Sequence, residues 1–333
     1  MPSLSKRNDS IDFLKGIAIF LVVLAHCWIL EREIFFFIYS FHMPLFFCIS
    51  GYLFSTRKKF KDFFISKVKT LIVPYILFFI FSFVVSVTIL HREITIVEGF
   101  KYFFLGGKFC ANVCNWPLWY LQLFFIASCI FYFIAKIKYF VIRIIIMAIL
   151  FASSMPIQQF CNRTFENGFV PFAFNALYPA LFFMLVAFEF RRIKDKLIPM
   201  VQGVNLKPLV SIVSFGLFVL GVILAAGNSD QIICLKSYTF LIYSLMILQF
   251  VVLITQNCHN KYIVYMGRNS LVILGIHRVL LFICAEILPV KELLERFSIS
   301  TFAGAIIVSC LCIFVICVCN YFVRLIFRKI AKR

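Results

Sequence analysis

Residues 11–27 read IDFLKGIAIFLVVLAHC, and this stretch decides the fold. Apart from Asp12, Lys15 and His26 it is apolar or glycine, and the apolar run continues to Leu30. It is too long for the hydrophobic core of a signal peptide and has no small-residue cleavage site, so it reads as a membrane span over 12–30. At about 100° per residue, the eleven steps from Lys15 to His26 return to within about 20° of one direction, and Asp12 lies within about 40°. The three polar residues therefore share a face. The rise from Lys15 to His26 is about 16 Å, which carries the imidazole to the far half of a bilayer.

The rest of the chain follows the same pattern. Of its 333 residues 63% are hydrophobic and only 14% charged, with 45 Phe and a mean hydropathy of +1.01. A soluble domain is about a quarter charged, so the apolar surplus here must face lipid. Runs of about 20 apolar residues predict ten spans, at 12–30, 36–54, 72–90, 117–135, 139–155, 172–190, 208–227, 237–255, 269–288 and 301–323. The fold class is all-α, one polytopic membrane domain over 1–333, with no soluble domain, repeat or low-complexity tract.

The net charge of +19 would suggest nucleic acid in a soluble protein, but in a membrane protein it reflects basic cytoplasmic loops. Eight Lys and Arg, among them Arg32, Arg92, Lys108, Arg163 and Lys236, fall in one set of connections. Twenty-four, from Lys6 and Arg7 to Lys332 and Arg333, fall in the other. That asymmetry predicts both termini in the cytoplasm and a multi-pass protein of the cell (inner) membrane. Glu31, Glu33, Glu93, Glu98 and Glu166 lean to the opposite side. The thirteen cysteines form no paired CxxC pattern, so no zinc or other metal site is expected. Cys110 and Cys114 lie in a predicted outer loop, where a disulfide is open to them.

An ionisable residue inside a span is costly and points to function. His26 is the first such residue. His42, in SFHMPLFFCISGYLF (residues 40–54), opens the second span near the same membrane face. In that segment Pro44 suits a first helical turn, and Ser50 and Gly51 permit close helix approach. Arg57, Lys58, Lys59, Lys61, Lys67 and Lys69 form a basic connection suited to anionic lipid heads or to cofactor phosphates. Trp116, Trp119 and Tyr120 sit where an aromatic belt, or a substrate-facing surface, would place them. His277 and Arg278 are mid-span neighbours about 100° apart, so at most one is expected to point into a cavity.

Together these segments resemble the membrane-bound acyltransferase 3 family, whose members O-acylate sugars and related acceptors. A basic residue, ten residues and a His mark its first span, as Lys15 and His26 do here. FHMPLFFCISGYLF, the basic stretch from Lys67 to Pro74 and Tyr75, Trp119 to Leu121, and Ser270, Leu271 and His277 match further segments. Residues 7–75 carry the most specific part. This chain has Lys15 where the family often has Arg, and Leu274 where a Tyr is common.

The resemblance implies transfer of an acyl group, acetyl by default, from cytoplasmic acyl-CoA to a sugar hydroxyl of a lipid-linked or cell-surface glycan, with no tightly bound cofactor. Lys15 and some of Arg57, Lys67 and Lys69 would meet the donor's phosphates, and the pantetheine arm would span the distance to His26. His26 then acts as general base or is itself acylated; both routes stay open at this point. His42 is a candidate for acceptor or oxyanion contact, with Trp119 and His277 as further acceptor-binding candidates. Asp12 is expected to pair with Lys15 or with a cation of the loop that follows. A multi-pass transporter of a small anionic or sugar-like solute is the alternative. Such folds often carry internal repeats, and the Lys15–His26 pattern has no partner in residues 170–333.

Overall fold

The structure, a computed structural model, describes residues 8–165, 170–200, 207–227 and 238–330. Lys6, Arg7, Glu166, Lys236, Lys332 and Arg333 lie outside the described residues, as do the side chains of Lys291, Arg328 and Lys329. Among the described residues every regular element is helical.

Helix α1 (Asp9–Ala25) starts at Asn8, whose side chain accepts the Ser10 N–H, satisfying one of the orphan donors of a helix start. The second predicted span is two helices, α2 (Arg32–Tyr39) and α3 (His42–Tyr52), with Ser40 and Phe41 between them. The remaining predicted spans coincide with α5 (Val73–Thr88), α7 (Trp119–Lys136), α8 (Phe140–Thr164), α9 (Leu177–Met200), α10 (Lys207–Ala226), α11 (Tyr238–Thr255), α13 (Ser270–Ile287) and α15 (Thr301–Ile330). Shorter helices fill the connections: α4 (Phe60–Lys67), α6 (Ile96–Leu105), α12 (Lys261–Arg268) and α14 (Val290–Arg296). Among the described residues nine helical runs are long and apolar enough to cross a membrane. The remaining predicted span, the first, is α1, which has only 17 helical residues.

The structure corrects three expectations. Helix α1 stops at Ala25, not near Leu30, because His26 adopts the cap position and Cys27–Leu30 turn away from the axis. The basic connection is a loop only through Arg57, Lys58 and Lys59. From Phe60 the chain is helical through α4, a π-helical turn at Val68–Ile72 and α5, one run of 29 residues. Lysines tolerate this because their alkyl stems lie along apolar surface while the ammonium stays free. Lys67 Nζ sits over the Phe63 ring (5.5 Å) and the Phe124 ring (4.8 Å). The predicted outer loop around 91–116 is largely helical too. Helix α6 opens with a capping box between Thr95 and Glu98, which satisfies two backbone donors at once. Cys110 and Cys114 are both buried and both free.

Lipid tails are as apolar as leucine, so helix association in a membrane depends on close packing and internal polar contacts. Glycine supplies the close packing. A methyl group on Gly16 of α1 would run into the Ile263 carbonyl oxygen of α12, and one on Gly267 into the Asp12 carbonyl oxygen. The two backbones therefore touch at this crossing. Gly51 of α3 meets the Met184 backbone of α9 in the same way, as the Ser50–Gly51 pair suggested. The polar contacts include a buried ion pair between Arg143 of α8 and Glu189 of α9, which are 1% and 3% exposed. The Arg143 Nη1 also donates to the Lys138 carbonyl at 3.2 Å. Helix α9 is the most enclosed span and α10 one of the most open, so α9 forms a hub for α3, α7 and α8 while α10 lies toward lipid.

Candidate active site

At the C-terminal end of α1 the chain holds His26 with an extensive set of contacts. Its Nδ1 lies 2.7 Å from the Val22 carbonyl oxygen. A carbonyl only accepts, so Nδ1 carries the proton and Nε2 keeps its lone pair. The Tyr39 hydroxyl, from the end of α2, lies 3.4 Å from that Nε2. The carbonyl of His26 accepts from Arg278 Nη1 at 2.7 Å. This bond supplies a donor to a helix end that would otherwise leave carbonyls unpaired inside the protein, and it is why α1 can end there.

The other two candidate histidines are built the same way. His42 is the first residue of α3, and its Nδ1 donates to the Ile38 carbonyl at 2.8 Å. His277 of α13 donates from Nδ1 toward the carbonyls of Ile273 (2.9 Å) and Leu274 (3.0 Å). Each imidazole is thus tied to a carbonyl one turn back, with Nε2 directed away from the backbone. The rings of His26 and His277 meet edge to face at 5.1 Å. The Tyr39 ring lies 6.2 Å from His26 and 4.7 Å from His42. His42 and His277 are 1% and 0% exposed, whereas His26 is half-buried. None of the three is hydrogen-bonded to a carboxylate among the described residues.

Adjacent residues were expected to diverge, yet His277 and Arg278 both reach His26. The ring of His277 faces the imidazole. The long Arg278 stem lies over the Phe282 ring (4.3 Å) and brings its guanidinium to the backbone carbonyl. Tyr39 and Arg278 complete the group; Tyr39 is one of 13 tyrosines, and its only signal was its place three residues before His42. Asn115 also supports it. Its amide nitrogen donates to the Gly275 carbonyl (2.8 Å) and to Ser82 Oγ (2.7 Å), fastening α13 two residues before His277. Trp119 is not part of the cluster. It opens α7, half-buried, with its ring 6.3 Å from Tyr120.

At the opposite end of α1, Asp12 is buried and bonded by Arg268 Nε at 3.3 Å, while Arg268 Nη2 reaches Asp9 at 2.6 Å. This partner comes from the far end of the sequence and was not among those expected. The glycine crossing of α1 and α12 puts Arg268 directly beside the first turn of α1. Lys15 is half-buried on the same helix.

The remaining cations divide. Arg57 joins Arg191 and Arg192 around a cleft of about 500 Å³, whose lining also includes Phe54, Phe188 and Asp195. Arg191 donates to the Tyr52 carbonyl and, at 3.0 Å, to the Phe54 carbonyl. The guanidinium groups of Arg191 and Arg192 each lie 5.5 Å from the Phe188 ring centre. Lys67, on its aromatic shelf, and Lys69, exposed on the π-helical turn, do not line this cleft. Three guanidinium groups against one carboxylate make it an anion-attracting site.

A half-buried imidazole with a fixed tautomer, a free lone pair and a neighbouring imidazole can take a proton or an acyl group. Comparison with known protein families gives one match, to the family described as an acyltransferase domain, over residues 8–321. Neither the curated proteins nor the solved structures give a match to this chain. The match spans nearly the whole length and takes in every residue of the cluster around His26, so the chain is an acyltransferase and belongs to the acyltransferase 3 family.

Proposed function

We propose that the protein is a membrane O-acyltransferase that moves an acyl group, acetyl first among candidates, from acyl-CoA to a sugar hydroxyl of a lipid-linked or cell-surface glycan. Both termini and the Arg57 cleft face the cytoplasm of a cell bounded by this membrane, and the His26 end of α1 lies toward the outer face. The charge asymmetry of the connections supports that orientation.

One observation carries the reading: the geometry of His26. It is half-buried, its Nδ1–H is committed to Val22, and its Nε2 lies beside the Tyr39 hydroxyl and the His277 ring. The donor's nucleotide and phosphates meet Arg57, Arg191 and Arg192, with Lys15, Lys67 and Lys69 as further cations on that side. Its thioester reaches His26, where the acceptor hydroxyl attacks. The C–O bond forms, the C–S bond breaks, and the hydroxyl proton ends on the thiolate of CoA. His42 and Trp119 are proposed to contact the acceptor.

The test is transfer of label from acetyl-labelled acetyl-CoA in membranes containing the full chain. His26→Ala should lower transfer by about 10²–10⁴-fold, the usual contribution of a positioned acid–base group, with normal insertion. Label that enters a glycan fraction only with intact His26 supports the reading. Folded wild-type protein that moves no acyl group from acetyl-CoA or longer acyl-CoAs, yet shifts solute across vesicles, would point to transport instead.

A further inference from the structure

We propose that His26 and His277 divide the reaction between them, His26 Nε2 taking the acyl group and His277 Nε2 taking the proton of the acceptor hydroxyl. This rests on the acyltransferase reading above.

A direct transfer needs one base, but the structure holds two imidazoles 5.1 Å apart, both with Nδ1 committed to helix carbonyls and both with a lone pair on Nε2. Their surroundings differ in a way that separates the roles. His26 is half-buried at a helix end, and its Nε2 has only the long 3.4 Å contact to the Tyr39 hydroxyl. His277 is fully buried and its Nε2 has no hydrogen-bond partner. A buried polar atom left unpaired is costly and rare in folded proteins, and a lone pair in that state calls for a donor. An acceptor hydroxyl bound against His26 is such a donor. Asn115, which holds α13 at Gly275, also keeps its Oδ1 buried and unpaired.

The steps balance. His26 Nε2 attacks the thioester carbonyl, the N–C bond forms, the C–S bond breaks, and CoA leaves as thiolate, which a thiol pKa of about 8.5 permits. The acceptor oxygen then attacks the acyl carbon. Its proton passes to His277 Nε2, the O–C bond forms, and the N–C bond breaks, returning His26 neutral. The imidazolium of His277 gives its proton to the thiolate, and both histidines end as they began.

The experiment has two arms, both with acetyl-labelled acetyl-CoA and the full chain. Purified protein without acceptor is mixed rapidly and assayed for protein-bound label released by neutral hydroxylamine. Wild type and His277→Gln should carry it, on His26 by mass spectrometry, and His26→Gln should not. In native membranes with the endogenous acceptor pool, His277→Gln should transfer at least about 100-fold more slowly than wild type. Transfer by a folded His277→Gln within about threefold of wild type overturns the division of roles. So does the absence of protein-bound label from wild type that transfers normally, a result that does not depend on any variant folding. Absence of transfer by wild type itself sinks the acetyl-CoA donor proposed above and this inference together, which distinguishes the two failures.

Discussion

The carbonyl of Val22 decides what His26 can do. By taking the Nδ1–H at 2.7 Å it fixes the tautomer and the ring orientation, the task that a carboxylate performs in many hydrolytic sites. Tyr39 is a weaker partner. At 3.4 Å its hydrogen bond to Nε2 is long, and a neutral bond is worth about 1 kcal/mol. Tyr39→Phe should therefore keep acyl transfer within about tenfold of wild type in initial-rate assays. Arg278→Met should do more harm, since it removes a charged donor from the end of α1 and with it about 1.5–3 kcal/mol. Its rate should fall by more than that of Tyr39→Phe, and a rate equal to Tyr39→Phe would show that the His26 carbonyl needs no such donor. At this scale His26 was legible because an imidazole in an apolar run is conspicuous. Tyr39 and Asn115 were not, since each matters only through a neighbour distant in sequence, such as Gly275.

Elements are positioned by the places where backbones touch. A side chain at Gly16 or Gly267 meets carbonyl oxygens, which cannot swing away as a flexible side chain can. Gly267→Val should separate α12 from α1, weaken the Arg268–Asp12 contact and cost about 1–3 kcal/mol or more. The measurement is thermal unfolding in detergent, where Gly216→Val, with open space around it, is the control and should change little. Helix positions were legible from hydropathy, but two boundaries were not. Lysines in 57–69 suggested a loop, and only the packing of Phe63 and Lys67 against α7 shows why a helix continues there. Hydropathy likewise carried span one to Leu30, because no local pattern announces that an arginine 252 residues away will accept the end of α1.

Across the whole molecule, α9 ties the bundle together, and the Arg143–Glu189 pair is its strongest single commitment. Both groups are almost wholly buried, so removing one leaves an uncompensated charge. Glu189→Ala should cost about 3–5 kcal/mol, whereas the double change Arg143→Met with Glu189→Leu should be near neutral or stabilising. Unfolding of the two variants beside wild type checks this; equal losses in the single and double variants would show that the ion pair itself stabilises the fold. The all-helical, multi-span architecture was legible from composition alone. The pairing of α1 with α12 and α13 was not, since one span's hydropathy carries no record of which other span it meets.

That pairing has a consequence for how the protein is made. Helix α1 leaves the ribosome well before the two arginines that fasten it, Arg268 at Asp12 and Arg278 at His26, the second of them 252 residues further along the chain. Until those later residues emerge, the His26 imidazole sits in the bilayer without the arginine that ends its helix or the His277 ring that faces it. On the function proposed above, such a nascent chain is expected to move no acyl group. A ribosome stalled before residue 268 leaves a membrane-inserted fragment with His26 and Tyr39 in place but neither Arg278 nor His277 beside them.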